Sequence, residues 1–287
     1  MNGSIWRTQF RTHTGECFRR FRAERGWKNF VSSAVIAVII CLVIKRDEMF
    51  VDFTQTRNGA FALVCACIWI GIFNSIQSIC RDREEGIVKR EFMKGMHTSA
   101  FVLAHLVFEC VLCIVESGLV TGVFCAFVSD NLPSSGVFLP IVVELLIAFF
   151  LTIFASDALA LMVSCIVKKP NTAMTVMPFI LILQLVLSGF VFDLPEGGFG
   201  DIISNVTVAK WSLNAICTSA NVNGMIPPPA DPRHALMSDV FEKSRNACEY
   251  TAGNFLLNCA ILAAFIVLYT VVGVLLLKLA KNDKRDD

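Results

Sequence analysis

Apolar residues gather in six long runs: Phe30 to Ile44, Ala60 to Ile79, Ala100 to Val128, Val137 to Val167, Ala173 to Phe192 and Phe255 to Leu277. A helix needs about 20 apolar residues to cross ~30 Å of hydrocarbon, and five of the six runs reach that length. The first, with 15 residues, is the shortest. Lys45-Arg46 follows it with no small-residue cleavage site, which favours a first span over a signal-peptide core. The pattern predicts an all-α polytopic membrane protein with six transmembrane helices.

The segments between the runs carry their own patterns. Trp6, Phe10, Cys17 and Phe21 recur at helical spacing, with Arg7, Arg11, Arg19, Arg20, Arg22 and Arg25 mostly on the other positions. This reads as an amphipathic interfacial helix in the inner leaflet, its basic side chains on lipid phosphates. The charge-mixed stretch from Arg81 to Met96 is helix-compatible, with Glu84 and Glu85 four and five residues before Lys89 and Arg90. The loop 193–254 holds Pro195-Glu-Gly-Gly198 and three prolines at 227–229, so it is partly irregular. Within it, Ile202 to Ser219 is apolar enough for a short re-entrant or interface-lying helix anchored by Trp211. The expected organisation is a connecting helix over 1–28, a six-span domain over 29–280 with its outer loop between spans 5 and 6, and a tail over 281–287.

Composition agrees with a membrane location. Apolar residues are 55% and charged residues 17%, against ~25% charged in soluble domains. That excludes an ordinary soluble enzyme and a disordered chain. The net charge of +1 leaves no basic excess for a nucleic acid. It conceals an asymmetry, however. Eighteen Lys/Arg fall on the side holding residues 1–28, 80–99, 168–169 and 278–287, and seven fall on the other. By the positive-inside rule both termini are cytoplasmic and loop 193–254 is outside. Lys45-Arg46, at an outer boundary, runs against that orientation.

No phosphate-cradling loop, His-Glu-x-x-His, paired Cys-x-x-Cys or Gly-x-Ser-x-Gly motif occurs. Most of the 12 cysteines lie in apolar runs and read as small buried hydrophobes, and no metal site is expected. Cys217 and Cys248 are the two in the outer loop and the best disulfide candidates if the exterior is oxidising. Asn205-Val-Thr there is a glycosylation sequon. Charges within spans cost about 2.5–3.5 kcal/mol each at a helix centre, so those present carry information. Glu109 and Glu116 share one face of span 3, with His105 one turn before Glu109 and able to pair with it. Glu144 and Asp157 lie in span 4, and Asn74 and Gln77 near the inner end of span 2. Asn74, Glu109, Glu116 and Glu144 line either a translocation path or a seam between helices. Asp157 is expected near the inner boundary, in contact with water.

The order of these features resembles the type-2 ABC transporter permease family, in particular the membrane domain of G-subfamily exporters and related bacterial FHA-linked transporters. Arg83 to Met96 resembles that family's Arg-Glu…Gly-Met stretch after span 2. Leu103 to Glu109 with Val115-Glu-Ser117 resembles its span-3 pattern, with Glu116 where the family often has Gln. Leu187-Ser-Gly-Phe190, Leu194-Pro195 and Ser204 to Leu213 with Trp211 resemble its span-5 and outer-loop signature, with Asn205-Val206 in place of Ser-Pro. The resemblance covers about residues 5–280.

It implies a homo- or heterodimeric exporter permease in the plasma membrane, with a path between spans 2 and 5 of two copies. It implies a partner ABC ATPase, subunit or domain, that docks on the helix bearing Glu84, Glu85, Lys89, Arg90 and Glu91. Val186, Leu187 and Phe190 would form an apolar valve at the outer end of span 5. The chain itself would need no cofactor and catalyse no reaction, magnesium-ATP belonging to the partner. The alternative is an ion-coupled secondary transporter or channel using the membrane carboxylates, although no inverted repeat is evident. An intramembrane enzyme would need a paired acid, base or nucleophile constellation, and only scattered carboxylates and cysteines are present.

Overall fold

A computed structural model describes residues 2–192, 198–228, 234 and 237–282, and no strand occurs among them. Expectations for Leu194-Pro195, most of Pro195-Glu-Gly-Gly198, Pro229 and residues 283–287 lie outside the described residues. The helices are α1 (Asn2–Ala23), α2 (Trp27–Val43), α3 (Phe53–Ser75), α4 (Ser78–Glu84), α5 (Ile87–Met93), α6 (Thr98–Phe127), α7 (Ile141–Ile166), α8 (Pro170–Val186), α9 (Phe199–Ser204), α10 (Val208–Ser219), α11 (Ser238–Ala247) and α12 (Ala252–Asn282).

Four stretches are long and apolar enough to cross a membrane: 53–84, 98–127, 141–166 and 252–279. A fifth qualifies if α1 and α2, bent by 71°, are taken together. Alone, α2 and α8 have 17 residues each, or about 25 Å of helix. The fifth apolar run yields the short α8 because the chain turns at Gly189, whose φ of 73° is left-handed.

Helix α7 is the hub, packing on α3, α6, α10 and α12. Its approach to α3 is close because Gly71 presents no side chain: a Cβ there would stand 2.5 Å from the Ile153 carbonyl oxygen. The start of α3 is fixed by Asp52, which accepts from the Thr54 and Gln55 amides at 3.0 and 3.1 Å. Phe53, Phe124, Phe149 and Phe255 fill the outer core. Apolar faces of α2, α8 and α12 stay exposed, as lipid- or partner-facing helices require.

Helix α1 keeps the predicted amphipathic face but uses it on protein. Trp6 donates to Ser99 Oγ at 3.0 Å, the His97 amide donates to Gln9 Oε1 at 2.9 Å, and Phe18 and Phe21 pack against Phe108 of α6. The charges that follow α2 are also paired: Lys45 with Glu48 at 3.3 Å, and Arg46 with Asp130.

Candidate functional site

Three regions gather the side chains that carry chemistry. The first is at the base formed by α4 and α5. The expected single helix over 81–96 is two, because Gly86 takes a left-handed φ of 72° between α4 and α5. The break undoes the expected pairing of Glu84 and Glu85 with Lys89 and Arg90. Instead Arg81 meets Glu85 at 3.4 Å and Lys94 meets Glu91 at 3.6 Å. Val88 is the buried foot of α5, in a cluster with Ile79, Met96, Phe101 and Leu161. Glu84, Glu85, Lys89 and Arg90 point outward and Glu91 is half-buried. Met93, 73% exposed, adds an apolar knob to this charged face.

Behind that face, three consecutive residues of α4 each hold a different element. Arg81 donates to Glu24, at the turn between α1 and α2, at 2.8 Å. Asp82, 1% exposed, accepts from Arg20 of α1 and stands 3.7 Å from His105 Nε2 of α6. Arg83 donates to the carbonyls of Cys165, Ile166 and Val167, capping the C-terminus of α7, where the negative end of the helix dipole favours a cation. His105 is therefore engaged by Asp82, while its Nδ1 donates to the Phe101 carbonyl at 3.0 Å. The expected His105–Glu109 pair does not form.

The second region lies within the helix bundle, between α2, α3, α6 and α7. Glu116 is fully buried and accepts from both Asn74 (2.8 and 2.9 Å) and Ser33 (3.2 Å). Asp157, expected in contact with water, is 1% exposed and accepts from Ser75 at 2.8 Å and Cys113 at 2.6 Å. Being on the inner side of α7, it is covered by α3 and α6 packing over it. Glu109 is 3% exposed, and its Oε2 has no hydrogen-bond partner. Glu144 stands apart from this group. It is buried at the first turn of α7 and accepts from the amides of Val137, Phe138 and Leu139 at 2.9–3.0 Å, and from Ser219. It thereby folds the loop between α6 and α7 back onto the helix N-terminus.

The third region is where the start of α3 meets the end of α8. Phe190 stacks on Phe61 of α3 at 4.0 Å between centroids and 12° between planes, and the Arg57 guanidinium sits 4.8 Å from the Phe190 centroid. Val186 is exposed on α8, in a stripe with Phe179, Ile182 and Leu183 at helical spacing, and Leu187 begins the turn. In the segment between α8 and α12, Cys217 and Cys248 are buried neighbours and both are free thiols, with Cys248 Sγ 3.9 Å from Asn214 Oδ1. The neighbouring Cys217 holds Cys248 below the usual thiol range, and the nearby Arg57 charge acts in the same direction.

The ABC-2 type transporter family matches residues 8–219, which take in all three regions except Cys248. The chain belongs to that family. Membership of the ABC-2 transporters makes it a multi-pass membrane protein of a permease family, one whose members work in general with an ABC ATPase. It is 27% identical over 188 residues to the ABC transporter ATP-binding/permease protein Rv1747 of Mycobacterium tuberculosis (strain ATCC 25618 / H37Rv). The match covers 65% of this chain and 20% of that protein, whose name joins an ATP-binding function to a permease in one polypeptide.

Sequence reasoning singled out the exposed charges of α4 and α5 and the span carboxylates. It named Arg83 only as the start of a motif, and it missed Asp82, Arg57 and Phe61. Arg57 and Phe61 are one turn apart on α3, a spacing that places them on one face. The contacts from Asp82 to Arg20 and from Arg83 to α7 join residues 62 or more positions apart and carry no local signal.

Proposed function

We propose that the chain is the membrane permease of an ABC exporter in the plasma membrane, driven by a separate ATPase subunit or domain that binds the magnesium-ATP. In this reading α2, α3, α6, α7, α8 and α12 are its six spans, and both termini are cytoplasmic. Residues 1–28 form the connecting segment, 29–280 the permease domain and 281–287 the tail, with α10 dipping back from the outer loop. The observation that carries the reading is the Arg81-Asp82-Arg83 triple. A force applied to α4 and α5 reaches α1, α6 and α7 through separate polar links, which is what a motor docked on Glu84, Glu85, Lys89, Arg90 and Glu91 requires. A second copy, identical or related, covers the α8 stripe and Trp69 and Phe73 of α3, so that the path runs between spans 2 and 5. Phe190, with Val186 and Leu187, closes its outer end. Asn74, Glu109 and Glu116 serve as a polar seam, and Glu144 as a loop anchor. Lipid surrounds the remaining apolar faces.

The test is capture. The full chain, tagged and purified from its own membrane, brings down an ABC ATPase that hydrolyses magnesium-ATP. Recovery of the chain with no such ATPase contradicts the reading.

One observation favours the ion-coupled alternative. Glu109 Oε2 is buried with no donor, and a carboxyl so placed is a natural proton carrier. That alternative expects transport without ATP that follows the proton gradient and is lost in Glu109→Gln. The permease reading expects Glu109→Gln to leave ATP dependence intact.

The thiols of Cys217 and Cys248 are proposed to close a disulfide on the outer side, the pair giving up two protons and passing two electrons to an oxidant of that compartment. A bridge closing a loop of about 30 residues contributes about 3–4 kcal/mol. Alkylation followed by intact-mass measurement should find two fewer free thiols, and reductant should lower the melting temperature of the native chain but not of Cys217→Ser. A full complement of 12 alkylated cysteines without prior reduction contradicts it.

A further inference from the structure

At the outer end of the bundle, α3, the turn after α8, α10, α11 and the start of α12 enclose a cavity of 740 Å³. Its described lining residues include three cations, Arg57, Lys210 and Lys243, and no carboxylate. Trp211 contributes an aromatic wall, and Asn214 and Asn246 are among its side-chain amides. Lys210 donates to Ser204 Oγ at 2.8 Å and Asn205 Oδ1 at 2.9 Å.

The decisive residue is Arg57. Its guanidinium is half-buried, lies over the Phe190 ring and pairs with no carboxylate among the described residues. A cation withdrawn from water at a membrane boundary is costly unless an anion meets it. A ring face offsets only part of that cost, on the order of 0.5–2 kcal/mol. A planar fork of N–H donors with lysines across the same cavity is the donor set that matches a phosphate oxygen cluster.

We propose that this cavity binds a net-anionic phosphate headgroup on the outer side, against the Phe61–Phe190 stack. The headgroup belongs to a lipid or to a free phosphate compound. That the anion is cargo leaving the path rests on the permease reading; the binding itself does not. Arg57 is then both the lid on the gate aromatic and the first charge the departing headgroup meets. An occupant would draw the guanidinium off the ring.

The experiment uses the full chain in an uncharged detergent. Trp6, Trp27 and Trp69 are replaced by Phe so that Trp211 is the sole tryptophan reporter. Its fluorescence is titrated with short-chain phosphatidic acid, with phosphatidylcholine of the same chain length and with inorganic phosphate. A saturable change with phosphatidic acid is expected, weakened about tenfold in Arg57→Gln, weakened also in Lys243→Gln on α11, and unaltered in Arg46→Gln. Saturation by inorganic phosphate as well assigns the site to the headgroup alone; saturation by phosphatidic acid only assigns it to a lipid. An equal response to phosphatidylcholine, no saturable response, or affinity unchanged in both Arg57→Gln and Lys243→Gln overturns the proposal. Absence of anion binding with an ATPase still captured removes this site and leaves the permease reading. Anion binding with no ATPase captured does the reverse.

Discussion

Replacing Asp82 with alanine is expected to cost the fold about 3 kcal/mol and to disconnect α1 from α4 and α6. The Asp82 side chain is 2% exposed and lies between Arg20 and His105. Removing one partner of a buried ionic group is damaging because the others stay desolvated without a counter-charge, about 3–5 kcal/mol in general. The lower end applies here. Arg20 is 40% exposed and reaches water, and His105 can release its proton. Thermal unfolding in detergent should show a clear fall in melting temperature for Asp82→Ala. Arg81→Gln should show little, since its pair with Glu24 is half exposed on both sides and such pairs contribute about 1 kcal/mol or less. Coincident melting curves for Asp82→Ala and the native chain would show that the buried carboxylate holds nothing together.

Much of the architecture was legible because membrane burial is written in runs. The third, fourth and last apolar runs are single long helices, and the second became α3 with its continuation α4. The runs at Phe30 and Ala173 are less plain, since their helices are 17 residues long and their span lengths depend on the turns that flank them. The break at Gly86 could have been suspected from the glycine alone, yet glycine also sits silently inside α6 at Gly118 and Gly122. Only packing decides which one bends the chain. The candidate sites were legible by residue type rather than by partner. Glu109 and Glu116 stood out because a charge in an apolar run is expensive. Asp82 did not, because it lies among the charges 81–85, where its neighbours are exposed. Its burial follows from α1 folding back over α4, a contact no local pattern encodes. Asp157 was misjudged for the related reason that depth along a helix says nothing about which side of the helix a neighbour covers.

The central claim is that α4 and α5 form the surface on which an ATPase drives this permease. Reversing Glu84, Glu85, Lys89 and Arg90 together tests it most directly. Those side chains face outward at the base, and only Glu85 touches a link residue, through an exposed pair with Arg81 that contributes little, so the melting temperature should hold while docking is lost. Like charges brought together at an interface cost several kcal/mol, and each 1.4 kcal/mol is tenfold in affinity. The measurement is the amount of ABC ATPase captured by the tagged full chain, with its magnesium-ATP hydrolysis, for the native and the charge-reversed protein. The account predicts capture by the native chain and a fall of at least about tenfold in the reversed one, at unchanged melting temperature. Equal capture and equal hydrolysis by the two proteins would contradict it.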